Sequence, residues 1–291
     1  MLARDNGRKS IKISDYFESL PFLMSAALAV AAVSAICFFL IAEGMHVIKK
    51  IGISKLVFSK SWRPSEGKFG IFSMILGTVY VTSMAALIAV PTAVLTAAFM
   101  SKLCPTWLYK VFKTVLSILS AIPSVVYGFF GLITVVPIVR NTFGGDGTSM
   151  LTASVVLALM IFPTVTAMAE AAISSAAKEN YHSALALGAD KVRSLFFVVL
   201  PAAKNGITSA AALGIARAVG ETTAVMMVSG NQTAMPQSLL KGIRTITANI
   251  ALEIGYAADD HRAALAASAL LLFAVVLSIN IIIGILGRKK Q

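Results

Sequence analysis

The chain has 291 residues, 57% of them hydrophobic and only 13% charged, with a formal net charge of +12. A soluble domain carries about 25% charged residues, so the composition excludes a soluble enzyme, a disordered chain and a secreted disulfide scaffold. The basic excess in so apolar a chain points to membrane orientation or an anionic solute and away from nucleic acid.

Residues 1–21 read as a polar, basic cytoplasmic arm, and 22–291 as one membrane domain. A helix needs about 20 mostly apolar residues to cross the hydrocarbon core. Uncharged runs of that length occur at 22–42, 69–101, 114–139, 147–169 and 263–287. A further run, 205–240, is interrupted only by Arg217 and Glu221. The fold class expected is an all-α polytopic membrane protein with six transmembrane helices and both termini on one side. The first run is longer than a usual signal core, and five more follow it, so it reads as a span and not a cleavable signal. Cys37 lies in this run as a small packing residue, and with Cys104 it makes no disulfide framework.

With the N-terminus inside, the inner segments carry 14 Lys and Arg and the outer ones 10. The bias favours cytoplasmic N- and C-termini. The first outer loop, with Lys49, Lys50, Lys55, Lys60, Arg63 and Lys68, departs from the rule and reads as solvated. Pro91, Pro123, Pro137 and Pro163 are expected to kink their spans. Ala85, Ala86, Ala89, Gly128 and Gly131 permit close helix packing.

No GxxxxGK[ST] loop, HExxH, GxSxG or Cys/His cluster is present. His46, His182 and His261 fall in three separate predicted loops, which argues against a metal site. The chain is therefore expected to be no enzyme and to bind no cofactor of its own.

Two features carry chemistry. The first is RAVGET at 217–222. An isolated charge at the bilayer centre costs about 2.5–3.5 kcal/mol or more on insertion scales, so membrane charges face the bundle interior or an aqueous path. On a continuous helix Arg217 and Glu221 share one face and can pair. Such a pair serves either helix packing or a solute. Gly220 permits close approach of backbone or solute. Thr222 and Thr223 offer hydroxyls. The second feature is the loop between the fourth and fifth runs, about 173–204. His182-Ser183-Ala184 begins a helix-like stretch, Gly188 breaks it, and a second amphipathic stretch ends in Leu200-Pro201. The result is either a docking protrusion or an interfacial helix pair.

The spacing from Gly188 to Leu200-Pro201 resembles the EAA loop of ABC importer permeases of type I. In that family the loop is the coupling helix that sits in a groove of the ATPase. Here His182-Ser183-Ala184 stands where Glu-Ala-Ala is usual. Together with RAVGET and the stretch RTITANIALEIGYAADDHRAAL at 244–265, the chain resembles the PstC-type permeases of phosphate importers. The resemblance implies a six-span permease domain over 22–291 in a bacterial or archaeal plasma (inner) membrane. It implies ATP-driven import of inorganic phosphate with a PstA-type permease subunit, a PstB-type ATPase dimer and a PstS-type extracytoplasmic phosphate-binding protein. ATP and magnesium would be held by the ATPases. Arg217, Glu221 and Thr222 would line the substrate path, and His182, Ser183, Ala184, Gly188, Leu200 and Pro201 would couple to the ATPase. Arg217 would bind phosphate oxygens, and Glu221 would accept a hydrogen bond from the proton that phosphate carries and sulfate lacks; a gate latch between the two charges is the rival role. A self-contained channel or secondary transporter, a structural scaffold and a molybdate or sulfate importer are the competing readings.

Overall fold

A computed structural model describes the backbone of residues 13–288 and the side chains of 20–281. The first twelve residues of the expected arm lie outside the described residues. The rest of the arm is not separate from the first span. It is the start of α1 (Ile13–Ile51), a 39-residue helix with Pro21 inside it. Phe22, Leu28 and Phe38 on α1 are 78%, 73% and 75% exposed, a surface that only lipid or another subunit can cover.

Gly52, at φ 87, turns the chain into α2 (Ile53–Phe58). A two-stranded hairpin follows, β1 (Trp62–Arg63) and β2 (Lys68–Phe69), antiparallel with Trp62 opposite Phe69. The expectation of a wholly solvated loop is corrected here. Arg63 and Lys68 are exposed, but Trp62 and Phe69 are buried against Ile71, Met74 and Leu265. The alternation is that of a strand pair with one wet face. Lys68 and Arg63 hydrogen-bond the Glu66 carboxylate between them and hold it below its ordinary pKa.

The spans come next. α3 (Phe72–Ala98) ends in a π-helical segment, Phe99–Leu103. The third apolar run is not one helix. Pro123 has no N–H to donate and holds Ile122 extended (ψ 127), dividing α4 (Thr106–Ala121) from α5 (Ser124–Phe130). A π segment, Gly131–Val135, joins α5 to α6 (Val136–Phe143) just before Pro137. α7 (Met150–Ala186) is capped by Ser149, which accepts the Thr152 N–H. α8 (Lys191–Ser194), a third π segment (Leu195–Val199) and α9 (Leu200–Ala202) lead to α10 (Lys204–Gly220). The second and third π segments lie just N-terminal to a proline, Pro137 or Pro201, where the regular i→i−4 ladder loses a donor. α11 (Thr223–Val228), α12 (Ile246–Glu253) and α13 (Asp259–Arg288) complete the order.

Among the described residues, five stretches are long and apolar enough to span a bilayer: Leu20–Ile51, Phe72–Leu103, Ser124–Phe143, Met150–Ala186 and Asp259–Ile281. The sixth is a bent pair, Lys191–Ala202 and Lys204–Gly220, at 70°. Counting that bent pair as one span makes six, but the fifth run of the sequence (205–240) is not a helix throughout. Its second half is a break, the short α11 and an irregular loop.

The centre of the bundle packs small residues, Ala85, Ala89 and Ala153, against Val81, Val156 and Ile161. This is the close helix approach expected of membrane bundles. A second cluster lies under the hairpin. A third joins the end of α3 to Ile173, Tyr181, Leu195 and Val199 at the opposite end, under the 181–201 loop.

Candidate functional site: a helix broken at Glu221

Gly220 ends α10, and Glu221 is extended (φ −68, ψ 125). The motif therefore straddles a break, and Arg217 and Glu221 do not share one helical face. Each has its own partner. Arg217 Nη1 donates to Thr164 Oγ1 of α7 at 2.6 Å. The Glu221 carboxylate turns the other way and accepts the Ala224 N–H at 3.0 Å, capping α11. Among the described residues the two charges form no ion pair.

The break is fixed from both sides. Thr247 Oγ1, in the first turn of α12, donates to the Glu221 carbonyl at 3.1 Å. α11 seats on α5 at Gly128, where an added Cβ would lie 2.7 Å from Met227 Sδ and 3.0 Å from Ala224 Cα. The close packing expected at Gly128 is thus between α5 and α11. A Cβ at Gly220 would meet nothing within 4 Å, so the space beside the motif is open. Thr222 and Thr223 are half-buried, and the Thr222 hydroxyl donates to the Gly220 carbonyl at 3.2 Å.

A broken helix inside a bundle has a physical use. The last carbonyls of one half and the first N–H groups of the other lose their partners. Such backbone is tolerated at membrane depth only where protein or a water-filled cavity meets it. Half-buried Arg217 and Glu221 beside open space set a guanidinium and a carboxylate where an anion can reach them.

At the far end, His182-Ser183-Ala184 does not begin a new helix. It is the last turn of α7, with His182 and Ser183 exposed and Ala184 buried. Gly188 closes that helix with φ 88, and the Ala189 N–H bonds back to the Ala184 carbonyl. Asp190 then caps α8 by accepting the Arg193 N–H at 2.6 Å. Leu187 stands 90% exposed at the tip. Leu200 and Pro201 lie just before the bend into α10, with Leu200 half-buried and Pro201 exposed.

The three histidines lie on helices and not in loops: His46 in α1, His182 in α7 and His261 in α13. His261 belongs to a cluster that reading by spans did not find. Glu253 is 6% exposed. Its Oε1 accepts from Arg244 Nη1 at 2.6 Å. Its Oε2 accepts from Trp62 Nε1 and meets His261 Nε2, both at 2.8 Å. Arg244 also donates to the Asn231 carbonyl and to Asn249. One carboxylate thus ties the hairpin, the 229–245 loop, α12 and α13 together. Arg244 precedes α12 and Glu253 ends it, and a charged pair at the two ends of so apolar a helix was the available signal. Thr164 carried no signal: an isolated threonine after Pro163 is ordinary until Arg217 is seen against it.

Five long apolar helices, a bent pair whose second helix ends at a charged motif, and a helix–turn–helix protrusion at one end define a multi-pass membrane protein. Residues 89–291 match the family model of the binding-protein-dependent transport system inner membrane component. The chain belongs to that family. It is 38% identical over 236 residues to the probable ABC transporter permease protein YqgH of Bacillus subtilis strain 168, across 79% of this chain and 76% of that one. It is 31% identical to the phosphate transport system permease protein PstC of Xylella fastidiosa strain Temecula1, across 95% and 93% of the two chains. The PstC of Pasteurella multocida is 33% identical across 79% of each. In fold it resembles a chain of the MetNI methionine ABC transporter, solved in inward-facing conformations, with a TM-score of 0.60 over 78% of this chain and 98% of that one at 18% identity.

Proposed function

We propose that this chain is a transmembrane permease subunit of an ATP-driven importer of inorganic phosphate. The observation that carries the reading is the charged break: a guanidinium and a carboxylate beside open space in a discontinuous helix. Similarity over most of the chain to PstC proteins supports phosphate as the solute. Arg217 supplies a fork of donors for phosphate oxygens. The Glu221 carboxylate accepts the hydrogen bond of a protonated phosphate oxygen and repels an unprotonated dianion such as sulfate. Thr222 adds a hydroxyl. That each charge has a separate partner in this structure favours a solute role over a permanent latch between them.

In this reading a PstA-type permease closes the path from the other side and a PstS-type binding protein delivers phosphate from outside. A PstB-type ATPase dimer docks at the protrusion formed by His182, Ser183, Ala184, Gly188, Leu200 and Pro201. ATP and magnesium are held there, and none by this chain. The termini are cytoplasmic. The complex reconstituted in vesicles should take up labelled phosphate only with ATP, and excess sulfate should not compete. Uptake without ATP, or equal competition by sulfate, would overturn the reading.

A further inference from the structure

Resting on the phosphate reading above, we propose that the cleft between α4 and α7 is a second phosphate station, displaced from Arg217 toward the 181–201 loop. The cleft has a volume of about 510 Å³ and is lined by Lys113, Ser117 and Ser120 from α4 and Glu170 from α7, among apolar neighbours. Positions 113, 117 and 120 recur at helical spacing and so lie on one face. The other face of α4 is apolar and open: Trp107, Val111, Val115 and Ile118 are 45–68% exposed. A membrane helix that keeps one polar stripe turns it to an aqueous path or to a partner.

The two charges of the cleft are held apart. Glu170 Oε1 accepts from Ser174 Oγ at 2.7 Å, and Tyr109 Oη approaches it at 3.5 Å. Lys113 Nζ lies 5.9 Å from the centre of the Tyr109 ring. Among the described residues Lys113 makes no ion pair. A cation and a carboxylate thus flank an open cleft with Tyr109 between them. The chemistry repeats that of the broken helix: a cation and hydroxyls for phosphate oxygens, and a carboxylate for the phosphate proton. Thr164, which holds Arg217, and Glu170 are six residues apart on α7, an axial distance of about 9 Å. Six residues also turn the helix by about 240°, so the two places lie on different faces of α7 and one ion cannot occupy both. Lysine is a point charge where Arg217 is a fork, so the second station holds phosphate less rigidly and releases it.

The test uses the complete complex in vesicles with Cys37→Ser and Cys104→Ser, and Ala167→Cys as a reporter in the cleft wall. A charged thiol reagent should modify position 167. Inorganic phosphate at about twice its dissociation constant should slow that modification about threefold, in proportion to site occupancy. Equimolar sulfate should not. Lys113→Gln should abolish the protection while the ATPase still co-purifies, and Lys113→Arg should retain it. Protection that survives Lys113→Gln, equal protection by sulfate, or a cysteine at 167 that the reagent never reaches would each overturn the station. If the complex with native Arg217, Glu221, Lys113 and Glu170 takes up no phosphate, the phosphate reading fails and the station with it. Normal uptake without protection removes the station alone.

Discussion

Arg217 and Glu221 act from opposite sides of a break, and this changes what their substitution does. Arg217→Gln leaves the neutral Thr164 hydroxyl short of a donor and strands no carboxylate, because Glu221 is bonded to Ala224. Assembly should therefore survive while ATP-driven phosphate uptake falls about tenfold or more, the loss of one charge-assisted contact. The double variant Arg217→Gln, Glu221→Gln should also assemble and stay low in uptake. Full uptake in it would remove both residues from the solute path. Glu253 behaves differently, since Arg244, Trp62 and His261 all converge on it. Glu253→Gln leaves Arg244 half-buried without a counter-charge, and removing one partner of a buried pair costs about 3–5 kcal/mol. The purified complex should melt well below the unsubstituted one in a thermal-shift measurement. An unchanged melting temperature would show that the cluster does not hold the hairpin to α12 and α13.

At the scale of elements, the protrusion depends on one backbone angle. Gly188 sits at φ 88, and no atom lies within 4 Å of a Cβ built there. The barrier to substitution is thus the backbone itself, about 1–2 kcal/mol for an L-residue in the left-handed region and more for a β-branched one. Gly188→Val should move the Leu187 tip and weaken ATPase co-purification, with membrane insertion unchanged. Gly188→Ala should do less. Normal coupled ATP hydrolysis in Gly188→Val would take the tip out of the docking surface. The turn was legible beforehand because a glycine between two amphipathic stretches is a strong local signal. The starting point of the loop helix was not: nothing local distinguishes a new helix at His182 from the last turn of a 37-residue one. Pro123 was legible as a kink, but a hydropathy run cannot tell a kink from two helices.

For the whole molecule, the orientation argued from charge makes a sharp prediction. Lys60, Asp146 and Asp190 are all exposed. A cysteine placed at 60 or 146 should react with an impermeant reagent added to intact cells, and one at 190 should not. Labelling at 190 from outside would invert the protein and remove the ATPase from the 181–201 loop.

The sequence by itself determined the environment, the number of spans and the residues worth testing. Bilayer thickness is a constraint along one dimension, and charge-free run length measures it directly. The cost of a membrane charge likewise marked Arg217 and Glu221 without any knowledge of neighbours. Only the tertiary structure decided where those charges point. Arg217 meets a threonine 53 positions away, Glu253 meets a tryptophan 191 positions away, and Lys113 faces a cleft completed by another helix. Such contacts arise from how helices pack, and neither run length nor periodicity carries that information.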